Sequence, residues 1–422
     1  LEQLVEAKPK RKLIYSWAFY DWANSAFATT VMAGFFPLFF KKYWTGDFPV
    51  VTSTYYLGVI NSVSSLILAL VSPALGAVAD QGAWRKRFLF LFTGLGIFGS
   101  GALGLISQGE WVMASVAYSV GLLGFSGALP FYDALLVEVA DRRDFDRVSA
   151  LGYALGYLGG GLLFLLNVAM YLSPSTFGFP DGAAAVRFSF ITVAFWWFFF
   201  SIPLFRNVIE RPARLKAHWL TVTRGGFKSF WLSCLELRRN RALLFFLLGF
   251  LFYNDAVNTI VKMAVDYGMS LGLEPSDLIK ALLMVQFIGF PAAILFGRVG
   301  EKHSPLVGIA ICLVVYTLAT YAAYRLQTSF QFFALAAVIG VVQGGIQSLS
   351  RSYFARLVNP DDSAQFFGFF NMIGKFSSIA GPFLVGWVSL QTGNPRAGIL
   401  ILILFFAAGG VFLSLSTKRR AA

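Results

Sequence analysis

A few ionisable side chains stand inside long apolar stretches, and their spacing is the first chemical signal in the chain. Asp21 opens the pattern Asp21-x-x-Asn24-Ser25, nine residues beyond Lys12 and so about 13 Å further along a helix. The pattern returns 234 residues later as Asp255-x-x-Asn258-Thr259, each copy preceded by Phe-Tyr, with one residue inserted in the second. Asp255, Asn258 and Lys262 follow at i, i+3 and i+7, which puts them on one helical face. A charge inside a bilayer costs roughly 2.5 to 3.5 kcal/mol on insertion scales, so each asks for a purpose. Asp21 and Asp255 are suited to exchange a proton between two states of a carrier. The plainer alternative is a structural Asp bonded to backbone or to Asn24.

Other candidates complete a polar path. Lys262 and Lys375, with Asn371 one turn before the latter, could receive a substrate carboxylate, or could snorkel to an interface or pair with a structural carboxylate. Gln343 and Gln347 stand at i, i+4 and offer amide donors and acceptors; one turn further, Arg351 is expected near an inner mouth, paired with Asp361 or Asp362. Tyr20, Trp22 and Tyr253 are the expected aromatic walls, with Asn24 and Asn258 as polar contacts. Asp133, with Glu138 beyond it, reads as a gating rather than a substrate residue. Both histidines, His218 and His303, fall in predicted loops, so any coupled proton must ride on carboxylates. No phosphate-binding glycine loop and no Cys/His cluster of zinc spacing is present, so neither direct ATP drive, a cofactor nor a metal is expected.

The elements that must hold these groups follow from composition. Of 422 residues 57% are apolar and 13% are charged, about half the charge of a soluble domain. Twelve spans of about 20 residues would absorb that apolar content, so a soluble enzyme is excluded. The 46 Phe suit lipid-facing helices and the 41 Gly suit close helix packing. The two cysteines, Cys234 and Cys312, cannot form a disulfide framework. Apolar runs bounded by charge, Pro or Gly predict spans over 14–40, 52–76, 88–107, 111–138, 148–172 and 187–206. A polar linker over 207–240 follows, and then spans over 241–268, 276–299, 305–325, 329–352, 364–389 and 395–416. The domains are thus a six-helix half over 1–206, the linker, and a second half over 241–422.

The net charge of +13 is a topological signal. Of 34 Lys and Arg, 26 fall on the side of the termini and linker and six on the other, which predicts both termini in the cytoplasm and leaves no call for a nucleic-acid partner. The basic run Lys8 to Lys12 leads into apolar sequence without a small-residue cleavage pattern, predicting a retained first span rather than a signal peptide. In the linker, Phe227, Phe230, Trp231, Cys234 and Leu235 share a helical face flanked by Lys228, Arg238 and Arg239, which predicts a helix lying on the membrane surface, with protein docking as the alternative. The second and eighth spans match as well, ending Gly76-x-x-Ala79-Asp80 and Gly297-x-x-Gly300-Glu301. A parallel repeat of six helices predicts an all-α fold in two halves, with a substrate site between them.

Gly76 to Arg87, with Asp80 and the basic residues Arg85, Lys86 and Arg87, resembles the signature of the major facilitator superfamily, departing from it at Gln81 and Ala83. The resemblance implies that Asp80 and Arg85 form a latch of the outward-facing state, with Glu301 acting at the same closure in the other half; the alternative is an exposed surface pair. Tyr20-Asp21-Trp22-Ala23-Asn24-Ser25-Ala26-Phe27, the run from Val148 to Gly160, and Gln343 to Arg351 with Phe366-Phe367-Gly368 resemble the vacuole effluxer branch, amino-acid effluxers with many bacterial members. Gly152-x-x-x-Gly156-Tyr157-x-x-Gly160-Gly161 is similar to the antiporter glycine signature, with Tyr157 in place of proline, though packing alone accounts for such glycines. The resemblance implies a secondary transporter exporting amino acids; with Asp21 and Asp255 as proton carriers and short loops without long insertions, the expectation is a monomer in a bacterial plasma membrane that exports a small polar or zwitterionic solute in exchange for protons. Its competitors are a lipid or amphiphile exporter and a membrane sensor or scaffold that does not transport.

Overall fold

The computed structural model describes residues 2–46, 48, 50–210, 240–377 and 379–418. The expected surface helix of the linker lies outside the described residues. Among the described residues twelve helical segments run back and forth: α1 (Glu2–Ala26, continued through Phe27–Phe35, Phe36–Phe39 and Phe40–Trp44), α2 (Val50–Gly82), α3 (Arg85–Leu103), α4 (Trp111–Ala134, then Leu136–Val139), α5 (Phe145–Leu172) and α6 (Gly182–Asn207) form the first half. The second half holds α7 (Arg241–Ser270), α8 (Pro275–Lys302), α9 (Pro305–Tyr324), α10 (Ser329–Leu357), α11 (Ser363–Phe376, then Ala380–Thr392) and α12 (Pro395–Ile399, then Ile401–Lys418).

Ten helices among the described residues are long and apolar enough to cross a membrane. The two that fall short have local reasons. Three basic residues open α3, and α11 breaks after Phe376 into pieces of 14 and 13 residues, each shorter than a bilayer requires. Alternate helices reverse direction, so the odd-numbered ones all begin at one face of the bundle, called here the terminal face.

The buried core shows how the halves meet. Near the terminal face one apolar cluster draws on both, including Tyr132, Leu136 and Val148 from the first and Phe246, Leu349, Phe354 and Phe367 from the second. Toward the opposite face the cores separate: Phe27, Phe36, Trp44, Tyr118 and Trp197 belong to one, Leu278, Leu326 and Phe332 to another. Among the described residues the halves are therefore joined through a shared core at the terminal face and keep separate cores beyond it. The helices that carry the join are α5 packed on α8 and α10, and α2 packed on α11.

Candidate functional site

Three buried polar clusters lie in that join. In the first, Gly76 lets α11 approach α2, since a Cβ there would lie 2.3 Å from the Ala364 carbonyl oxygen. One turn on, the Asp80 carboxylate accepts the N–H groups of Ala364 (3.1 Å) and Gln365 (2.8 Å), donors that a helix leaves unpaired in its first turn. Arg85 Nε donates to the same carboxylate at 2.7 Å, and the guanidinium reaches Glu138 at 2.7 Å and the carbonyls of Pro360 and Asp361 at 3.0 and 3.1 Å. The pair is buried, Arg85 being 4% exposed, so the surface-pair alternative does not hold. Behind it Glu210 accepts the N–H groups of Arg85 and Lys86, and burial raises its carboxyl above the ordinary pKa.

The second cluster surrounds Arg351. Its guanidinium donates to Asp133 at 3.1 Å, to Asp21 at 3.3 Å, and to the hydroxyl and carbonyl of Ser149 at 2.9 and 2.8 Å. Three aromatic faces enclose it, with Tyr153, Trp17 and Tyr132 centred 4.2, 4.9 and 5.6 Å from its central carbon. Asn371 donates to the far oxygen of Asp133 at 3.2 Å. Gly152 makes room, because a Cβ there would lie 2.6 Å from Asp21 Oδ2 and 2.9 Å from Arg351 Nη2. In the third cluster Asp146, fully buried, accepts from Ser352 and Arg356, both at 2.5 Å.

Above the clusters α5 stays packed on α8, with Gly161 against Gln286 and Tyr157 against Gly289, and side-chain hydrogen bonds cross between the halves. Tyr157 donates to Gln347 at 3.2 Å and Lys375 donates to Ser126 at 2.8 Å. Gln343 and Asn258 are half-buried, and Lys262 is exposed.

Several expectations need correction. Arg351 bonds Asp21 and Asp133 of the first half rather than Asp361 or Asp362, because its position on α10 faces α1, α4 and α5. Asp255 does not mirror Asp21: it stays within its own half, where it accepts the N–H of Gly381 (3.0 Å) and the Thr259 hydroxyl (3.3 Å) and so caps the second piece of α11. The aromatic walls are packing residues. Tyr20 is buried with its hydroxyl 2.7 Å from Thr93, Tyr253 is buried with its hydroxyl 2.7 Å from Ser350, and Trp22 stacks on Trp196 of α6. Asn24 is buried, and its amide nitrogen has no partner among the described residues. Glu301 is exposed on a cleft of about 660 Å³ shared with Arg143, His303 and Arg356, and forms no ion pair among the described residues.

Trp17, Tyr132, Asp146, Ser149, Tyr153 and Arg356 were not anticipated. A faint signal was available: Trp17 and Asp21, and Ser149 and Tyr153, stand four apart and so share a face of α1 and of α5.

Residues 49–422 match the sequence family described as vacuole effluxer Atg22 like. The chain is 36% identical over 401 residues to the uncharacterized MFS-type transporter YxiO of Bacillus subtilis, covering 94% of this chain and 93% of that one. It is 28% identical over 319 residues to autophagy-related protein 22 of Yarrowia lipolytica, covering 68% of this chain and 53% of the fungal one. Among solved structures, the human organic anion transporter MFSD10 superposes with a TM-score of 0.72 at 14% identity, over 96% of this chain and 99% of that one. The proton:xylose symporter XylE superposes with a TM-score of 0.69 at 12% identity, over 96% and 94%.

Proposed function

This chain belongs to the vacuole effluxer Atg22-like family of major facilitator transporters, and from that membership and the one-sided joining of its halves we propose that it exports a small polar or zwitterionic, amino-acid-like solute by alternating access. The observation that carries the reading is the Arg351 cluster, in which one half supplies the cation and the other the carboxylates. An ion pair made across a parting interface exists in one state and not in the other, so anything that neutralises either side shifts the equilibrium between states. With the terminal face in the cytoplasm, as the distribution of Lys and Arg supports, the conformer described is closed inward, and its halves part toward the outside.

Protons are the proposed driving ion and Asp21 the proposed carrier, because protonating Asp21 weakens its bond to Arg351 and favours opening. Asp255, held by backbone N–H groups within one half, is less suited to that task. The solute would meet Gln343, Gln347, Asn258, Asn371, Lys262 and Lys375 above the closure. Asp80, Arg85 and Asp133 serve as gate residues with Arg351, and Glu301 would meet the first half as the gate moves. The proposed setting is a bacterial plasma membrane, with the chain acting as a monomer.

Counterflow of radiolabelled neutral, acidic and basic amino acids into proteoliposomes, with and without a pH gradient, tests this reading. Saturable exchange is expected, accelerated by the gradient in the wild type and not in Asp21→Asn. Folded protein that exchanges no amino acid would overturn the substrate class and bring lipids and other organic solutes forward.

A further inference from the structure

The groups that enclose Arg351 belong almost wholly to one half, and Trp17, Tyr132 and Asp21 among them hold each other in place without it. Tyr132 donates its hydroxyl to Asp21 at 2.8 Å, Trp17 donates Nε1 to the Tyr132 carbonyl at 3.0 Å, and the two rings stack at 4.6 Å and 11°. Asp21, Asp133, Ser149, Trp17, Tyr132 and Tyr153 all come from α1, α4 and α5. Among the described residues the second half adds Arg351, Asn371 and the Ser348 carbonyl, which accepts the Ser149 hydroxyl at 2.8 Å. The first half thus supplies the walls of a cage, with Trp17, Tyr132 and Asp21 already set against one another, and Arg351 is its removable occupant.

When the halves part, Arg351 leaves with α10 and two buried carboxylates lose their counter-ion, which a low-dielectric site does not tolerate without a replacement. Protons alone would neutralise them. Three aromatic faces, however, contribute nothing to holding a proton, whereas they attract an organic cation. Ser149 likewise presents a hydroxyl and a carbonyl to the N–H groups of a guanidinium or ammonium.

We propose that this cage is a cation-binding site which Arg351 fills in the described conformer and which a guanidinium or primary ammonium group of the transported solute fills when the terminal face opens. The inference rests on the alternating-access reading and narrows its substrate class to solutes carrying such a cation. It also gives the solute a direction. Ser126, which takes the Lys375 ammonium, lies seven residues before Asp133 on α4, about 10 Å away along the helix. A long zwitterion would place its cation in the cage and its carboxylate toward Lys375.

The test removes the occupant and asks whether the cage takes another. Full-length Arg351→Ala in lipid nanodiscs is titrated with methylguanidinium by calorimetry, followed by agmatine and arginine. Saturable binding is expected, weakened about tenfold or more by adding Asp133→Asn and several-fold by adding Tyr153→Leu. Loss through Tyr153 separates a cation site from a proton site. Folded Arg351→Ala that binds no methylguanidinium, or binds it equally with Asp133→Asn, overturns the proposal. Should Arg351→Ala not fold, wild-type protein carrying spin labels at Arg143→Cys and His303→Cys is exposed to agmatine. A longer inter-label distance with agmatine but not with glutamate supports the cage, and an unchanged distance overturns it. Binding is read without flux, so a failed counterflow assay leaves the cage standing. Exchange of solutes lacking a cation, with an unresponsive cage, would sink the cage and leave transport intact.

Discussion

Gly152→Ala isolates the interlock without removing a charge or a hydrogen-bonding group. The added methyl would lie 2.6 Å from Asp21 Oδ2, 2.9 Å from Arg351 Nη2 and 3.1 Å from the Trp17 ring. All three neighbours are constrained. Asp21 is held by Tyr132, Arg351 by Asp133 and Ser149, and Trp17 by its stack on Tyr132. None can yield by rotating a free chain end, so overpacking of about 1 to 3 kcal/mol is expected in the joined state. Once Arg351 withdraws, the methyl loses its contact with Nη2, and Asp21, fixed from one side only by Tyr132, can shift, so most of that cost is released. At 1.4 kcal/mol per factor of ten, the ratio of joined to parted molecules should fall by roughly 5- to 150-fold.

Pulsed electron resonance between labels at Arg143→Cys and His303→Cys, on opposite halves of one cleft at the terminal face, reads that ratio as the weight of a longer distance. A distribution identical to that of the labelled parent, in protein of unchanged melting temperature, would refute the claim that the cage is packed tightly around Arg351. A lower melting temperature with no new distance would mean that the strain is released by unfolding rather than by opening.

Three further outcomes follow from the geometry. Asp80→Asn weakens the charge-assisted bonds to Arg85 and to the start of α11, about 1.5 to 3 kcal/mol of closure, and should populate the same longer distance. Tyr157→Phe deletes one neutral bond across the halves, to Gln347, for about 0.5 to 1.5 kcal/mol; counterflow should persist, with a modest change in rate measured in the same vesicles. Asp255→Ala leaves the Gly381 N–H without its acceptor, and a melting curve should show about 1 to 3 kcal/mol of lost stability, while Asp255→Asn should keep whatever pH dependence the wild-type exchange displays.

Membrane residence, twelve apolar segments and their parallel repeat are legible along the chain, because these depend on hydropathy summed over some 20 residues and on spacing along one helix. The sequence also marked Asp21, Asp133 and Arg351 as charges in need of a purpose, since an ionisable group in an apolar run is conspicuous whatever surrounds it, while Asp80 and Arg85 stand out through their resemblance to the superfamily signature. Pairing was not legible there. Asp21 and Asp255 occupy equivalent places in the repeat, yet one bonds a guanidinium 330 residues away and the other caps a break in its own half. Tyr20 and Tyr253 likewise sit beside those carboxylates in sequence but turn inward, each within its own half. Helical periodicity fixes which residues share a face and leaves open which neighbour that face meets. The neighbour was decided by the packing of α10 against α1, α4 and α5, where Gly152 leaves space for two charged side chains at once. That choice turned a row of isolated charges into an interlock, and only the tertiary structure could make it.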